Sequence, residues 1–199
     1  MKVSLIYAAA GNSSRFGSNK LLYEYHGKPL YRHLLDRLKA VCARHPDWEL
    51  ILVTRFPEIY DRHKADGGCL RTIYSADSHK GMSYTIRAGL RAAGNPLAYA
   101  FFVADQPFFT EESAEAFLTA MERQQAPLGC VCTKDRYGNP GWFSSSYFRE
   151  LMELEGDQGG RRILNKYREN AVYFPVSGDW ELWDMDRAED VERLSVNIT

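Results

Sequence analysis

Through the first two thirds of the chain, apolar runs of strand length alternate with segments whose apolar residues recur at helical spacing. This alternation constrains the fold more than any single residue does. Residues 2–8, "KVSLIYA", predict a first strand. Residues 29–43 place Leu30, Leu34, Leu35, Leu38 and Val41 on one helical face, with Pro29 where a helix tolerates proline. A strand at 49–54, a short helix at 57–65, a strand at 70–76 and a helix at 82–93 follow. Residues 98–104, "AYAFFVA", are continuously apolar, as a strand covered on both faces requires. Thr110 ahead of acidic residues predicts the cap of a helix at 110–124, and 128–134 returns to strand. The pattern then loosens into a turn and short strand at 138–144, helices at 145–154 and 159–168, a strand at 171–176 and a closing helix at 187–194. Strands alternating with helices predict a mostly parallel sheet covered on both sides. With no linker, repeat or low-complexity stretch, residues 1–199 read as a single α/β domain.

In an open α/β sheet, ligands bind beyond the carboxyl ends of the strands. Three polar segments are expected there: 9–20, 75–85 and 105–109. Composition narrows what they can bind. Lys and Arg total 25 against 26 Asp and Glu, a formal net charge of −1. No basic excess suggests nucleic acid, so phosphate binding must be local. No apolar run approaches the roughly 20 residues of a membrane span, and the N-terminal apolar stretch reads as a buried strand rather than a secretory signal. Cys42, Cys69, Cys130 and Cys132 match no zinc or disulfide spacing, which predicts reduced thiols and a cytoplasmic setting. The five histidines show no ligand spacing, and there is no G-x-S-x-G nucleophile motif.

The loop after the first strand, "AAAGNSSRFGSNK" (8–20), is small, polar and cationic. It is neither a Walker A motif nor G-x-G-x-x-G. Its chemistry still suits phosphate. Small residues let backbone N–H groups crowd round an anion, Arg15 offers a planar fork of donors and Lys20 a mobile point charge. An ordinary solvated loop has the same composition, so composition alone leaves both readings open. Likewise Asp105, just after "AFFVA", suits a Mg²⁺ ligand or a turn before Pro107.

The loop resembles the signature of the MobA-like nucleotidyltransferases, and most of all the branch containing molybdenum cofactor cytidylyltransferase. The match runs through Ala9, Ala10, Gly11, Ser13, Arg15, Gly17, Lys20, Leu21 and Leu22. Further blocks resemble the family in order: "GKPL" (27–30), "GMSYTIRAGL" (81–90), "ADQP" (104–107), "GNPGWF" (138–143), "GDQGGRRIL" (156–164) and "DMDRAED" (184–190). Asn139 stands where the family has His, and Arg187 and Ala188 replace its Thr-Pro.

The resemblance implies a Rossmann-like three-layer sandwich of the nucleotide-diphospho-sugar transferase type. It implies a Mg²⁺-dependent transfer of CMP from CTP to a molybdopterin-type acceptor, releasing pyrophosphate. Arg15, Lys20 and Asp105 would be catalytic. Ala9, Ala10, Gly11, Ser13, Gly81 and Ser83 would join Arg15, Lys20 and Asp105 in holding the nucleotide. Asn139, Asp157 and Arg161 would face the acceptor. Asp105 and Asp184 would hold the metal, with Asp186 the alternative to Asp184. A molybdenum hydroxylase or its chaperone is the implied protein partner. Guanylyl transfer, another phosphorylated acceptor, or a non-catalytic cofactor carrier are the competing readings.

Overall fold

The computed structural model describes residues 2–11, 19–186 and 190. The predicted alternation is observed as β1 (Val3–Ala9), α1 (Leu30–Arg44), β4 (Trp48–Thr54), α2 (Pro57–His63), β5 (Leu70–Tyr74), α3 (Met82–Ala92), β6 (Ala98–Val103), α4 (Glu111–Arg123) and β7 (Leu128–Cys132). A two-stranded hairpin, β2 (Glu24–Tyr25) and β3 (Lys28–Pro29), precedes α1. The C-terminal third adds β8 (Tyr137–Ser144), α5 (Phe148–Met152), α6 (Arg161–Lys166) and β9 (Ala171–Pro175).

Among the described residues the main sheet has seven strands, in the order β5-β4-β1-β6-β8-β7-β9. β1 pairs in parallel with both β4 and β6, and β4 with β5. β8 is antiparallel to both β6 and β7, while β9 is parallel to β7. Every strand but β8 therefore points the same way, and the carboxyl ends share one edge. From β1 the chain moves outward to β4 and β5, then returns through α3 to β6 on the other side. That reversal places a topological switch point between β1 and β6, where such sheets open a crevice.

Alternate side chains of β1 go to opposite layers. Val3, Leu5, Tyr7 and Ala9 pack with Leu34, Leu35 and Leu38 of α1, Ile59 of α2, and Phe117, Leu118 and Met121 of α4. Ile6 packs on the other face with Ile86 and Leu90 of α3, Leu151 of α5, and Ile163 and Leu164 of α6. The two clusters are the cores on either side of the sheet, and the helices packed on them are the outer layers of a three-layer sandwich. Each fully buried Leu or Phe contributes roughly 1.5–3 kcal/mol. α3 lies especially close to β1, because a Cβ on Gly89 would meet Ile6 Cγ2 at 2.5 Å.

Two expectations need correction. The turn and short strand at 138–144 are in fact an eight-residue strand inserted between β6 and β7. The helices expected at 145–154 and 159–168 are short: a 3-10 turn at Ser145–Tyr147 leads into α5, and α6 is followed by a 3-10 turn at Arg168–Asn170. The closing helix expected at 187–194 lies, except for Asp190, outside the described residues. No helix among the described residues is long and apolar enough to cross a membrane.

Candidate active site

The crevice at the carboxyl edge is built first by backbone. The Ala104 N–H donates to the Ala8 carbonyl at 3.1 Å, joining the end of β6 to the end of β1. Residues 105–109 are then held from behind. The Arg37 guanidinium donates to the Pro107 and Phe109 carbonyls at 2.6 and 2.8 Å, and the Met185 N–H donates to the Asp105 carbonyl at 2.8 Å. Glu181, fully buried, accepts from the Thr110 N–H and hydroxyl and from the Ser177 N–H. These bonds fix the late segment carrying Asp184 and Asp186 beside the loop carrying Asp105.

Lys20 opens a 3-10 turn, Lys20–Leu22, whose N-cap Asn19 accepts from the Leu21 N–H. Leu21 is buried in the main core and anchors the turn. From there the Lys20 Nζ donates to Asp105 Oδ2 and to Asp186 Oδ1, both at 2.9 Å. Burial alone would lower the lysine pKa, but the charges and hydrogen bonds of Asp105 and Asp186 outweigh it and the net shift is upward. Gln106 Nε2 donates to Asp184 Oδ1 at 2.9 Å. Asp184 meets solvent in the crevice, yet it is crowded by protein. That desolvation, reinforced by the charges of Asp105 and Asp186, pushes its pKa up to about 6 against the lowering effect of the Gln106 hydrogen bond and of Lys20.

Two carboxylates thus bond one ammonium, and a third, Asp184, is held nearby by Gln106. Their hard oxygens suit Mg²⁺, which is commonly held by one or two carboxylates together with substrate phosphates. Among the described residues, no group of three or more His, Cys, Asp or Glu side chains closes on one point to hold a metal unaided. The donor set therefore fits an ion completed by a triphosphate.

Adjoining these groups is a cavity of about 320 Å³, with Gln106 and Asp184 in one wall and Tyr137, Asn139, Phe143 and Arg161 among the others. The Arg161 guanidinium lies 5.1 Å from the Tyr137 ring centroid, and the Tyr137 hydroxyl donates to Asn165 Oδ1 at 2.6 Å. The cavity combines aromatic faces with a cation, as a flat, anionic ligand would require.

The structure brings Lys20, Asp105, Asp184 and Asp186 together, and places Asn139 and Arg161 in the adjoining cavity. Ala9 and Ala10 are buried at the end of β1, and the Ala10 carbonyl accepts from Arg55 Nε at 3.1 Å. Gly11 is exposed, with open space where a Cβ would stand. Ser13 and Arg15 lie outside the described residues.

Ser83 and Asp157 lie at a joint between the start of α3 and the segment before α6. Gly81 has φ +130°, and a Cβ there would sit 2.4 Å from the Gly156 carbonyl and 2.8 Å from the Asp157 nitrogen. The Ser83 N–H donates to the Gly156 carbonyl at 3.0 Å. The first turn of α3 is thereby clamped to residues 156–157. Ser83 is fully buried, and among the described residues its hydroxyl has no hydrogen-bond partner. Asp157 belongs to the same joint and does not line the cavity. Sequence reasoning passed over Gln106 and Glu181. Gln106 had a signal, its place between Asp105 and Pro107; Glu181 had none, because two of its three donors come from Thr110, far along the chain.

Residues 5–171 match the MobA-like NTP transferase domain. Among curated proteins, the chain is 25% identical over 201 residues to the purine catabolism protein PucB of Bacillus subtilis, covering 95% of this chain and 94% of that one. It is 28% identical over 204 residues to a probable molybdenum cofactor guanylyltransferase of Thermococcus gammatolerans, covering 94% and 95%. The fold matches the crystal structure of Rv0371c from Mycobacterium tuberculosis with a TM-score of 0.80 at 22% identity, over 97% of each chain.

Proposed function

Because this chain belongs to the family of MobA-like NTP transferase domains, matched over residues 5–171, we propose that it transfers a nucleoside monophosphate to a molybdopterin-type acceptor. CTP is the favoured donor and pyrophosphate the leaving group. An oxygen of the acceptor phosphate attacks the α-phosphorus, forming a new P–O bond as the bond to the β-phosphate oxygen breaks. The observation that carries this reading is Lys20, held at 2.9 Å from Asp105 and from Asp186 beside the switch point of the sheet.

The protein's task in such a transfer is positioning and charge neutralisation. Lys20 would meet the α-phosphate as negative charge builds there. Arg15 and the loop 9–20 would hold the outer phosphates, with Ala9, Ala10 and Gly11 opening room for the chain of oxygens. Asp105, with Asp184 or Asp186, would hold Mg²⁺, which supplies Lewis-acid neutralisation of the triphosphate when bound. Arg161 and Asn139 would orient the acceptor over Tyr137, within reach of Asp184 and Gln106. The joint at Gly81 and Gly156 sets the first turn of α3 against the segment leading to Arg161.

The preference for CTP rests on the likeness of "AAAG" and "GMSYT" to the cytidylyl branch. The printed name of the Thermococcus gammatolerans relative favours GTP as the second reading. The relative PucB, named for purine catabolism, favours an accessory protein serving a molybdenum hydroxylase. Pyrophosphate release from each of the four nucleoside triphosphates, with Mg²⁺ and with or without molybdopterin, tests all three. Acceptor-dependent release, fastest with CTP, is expected. Faster release with GTP selects the guanylyl reading, and no release with any nucleotide overturns the transfer itself.

A further inference from the structure

The Lys20 side chain is only 7% exposed, and its ammonium touches one oxygen of Asp105 and one of Asp186 at the same 2.9 Å. Its backbone is fixed by the Asn19 cap and by the burial of Leu21. Its stem, by contrast, is unbranched and rotatable. A cation is therefore already seated between two of the carboxylates proposed above as metal ligands. A divalent ion ligated by those oxygens would lie close to this ammonium, and the repulsion between the two positive charges sets them in competition for the site.

We propose that Lys20 acts as an internal stand-in for the divalent cation in the nucleotide-free protein, bridging Asp105 and Asp186, and yields them to a divalent ion most readily when a triphosphate offers its ammonium another anion. The inference rests on the proposed reading of Asp105 and Asp186 and adds a consequence to it. The nucleotide-free protein keeps its carboxylates neutralised and binds free divalent cations weakly. The incoming triphosphate both draws Lys20 away and completes the ion's ligand shell, so metal and nucleotide are taken up together. Asp186, with a side chain 46% exposed, is the looser of the two partners, and Asp105, at 27%, the firmer.

Titration of the nucleotide-free protein with Mn²⁺ alone, followed by the electron paramagnetic resonance of the free ion, tests this. Lys20→Met and Lys20→Gln should bind Mn²⁺ at least about tenfold more tightly than wild type, because an adjacent positive charge has been removed from the ligands. Lys20→Arg should bind as wild type does. Equal or weaker binding by the neutral variants, with circular dichroism showing them folded, overturns the proposal. A measurement on the wild-type protein guards against misfolded variants. Amine-labelling of Lys20, read by peptide mass spectrometry, should accelerate when Mn²⁺ saturates the site; labelling that is unchanged while Mn²⁺ binds refutes displacement. Neither measurement requires turnover. A protein that transfers no nucleotide would overturn the proposed activity and still give a clear answer here.

Discussion

Replacing Asp184 by Asn should stabilise the ligand-free protein at neutral pH. The folded protein holds the Asp184 proton up to about pH 6, against an ordinary value of 3.8. A carboxyl raised in this way contributes stability that is complete below about pH 4 and lost as pH rises through 6, because ionisation is easier in the unfolded chain. Asn keeps the shape and an oxygen that can accept from Gln106, but it never ionises. At 1.36 kcal/mol per pKa unit the full shift is worth roughly 3 kcal/mol. Asp184 is open to solvent in the crevice, so screening cuts the expected gain at pH 7 to about 1 kcal/mol. For a chain of this size that raises Tm by about 2–4 °C. Thermal unfolding followed by circular dichroism, without nucleotide or divalent ions, at pH 7 and at pH 4, is the assay. The gain should be present at pH 7 and absent at pH 4. A variant less stable than wild type at pH 7, or equally stabilised at both pH values, would refute the electrostatic reasoning. Lower activity alongside higher stability would mark the residue as kept for function.

Glu181→Ala should cost about 1–3 kcal/mol, since the part-buried Thr110 and Ser177 donors lose a charged, buried acceptor; urea denaturation measures this. Gly81→Ala should cost about 1–3 kcal/mol from its φ of +130° alone, and more from the 2.4 Å contact with Gly156. Its urea midpoint should fall below that of wild type, and an unchanged midpoint would contradict the close approach of α3 to residue 156. Arg161→Ala should raise KM for the acceptor by roughly tenfold or more, as for loss of a charged contact. Its KM for the nucleotide should stay within about twofold, and steady-state kinetics with each substrate varied in turn separates the two.

Apart from the β2–β3 hairpin, the order of strands and helices up to β7 was legible because the central strands β1, β4 and β6 are buried on both faces and the helices on one, so burial writes its period into the sequence. β8 was not fully legible, since Gly138, Asn139, Pro140 and Gly141 are poor strand formers. Pairing with β6 and β7 on both sides imposes the strand. The place of Asp105 just beyond the carboxyl end of β6 was readable from the apolar run before it. The choice between Asp184 and Asp186 was not, because it turns on which carboxylate meets Lys20 and which meets Gln106. Ser83 shows the limit most clearly. Its place at a helix start suggests an available hydroxyl, whereas in the fold the side chain is enclosed and its N–H is tied to Gly156, far along the chain.

The account's central claim is that Asp105 and Lys20 form the centre of a nucleotidyl transfer. Turnover of purified Asp105→Asn, compared with wild type under saturating nucleotide, acceptor and Mg²⁺, tests it most directly. The substitution keeps the side chain's shape and removes one charge from the site. A fall in kcat of at least about a hundredfold is predicted, on the scale of losing a key electrostatic group, with circular dichroism unchanged. Turnover close to that of wild type would contradict the claim.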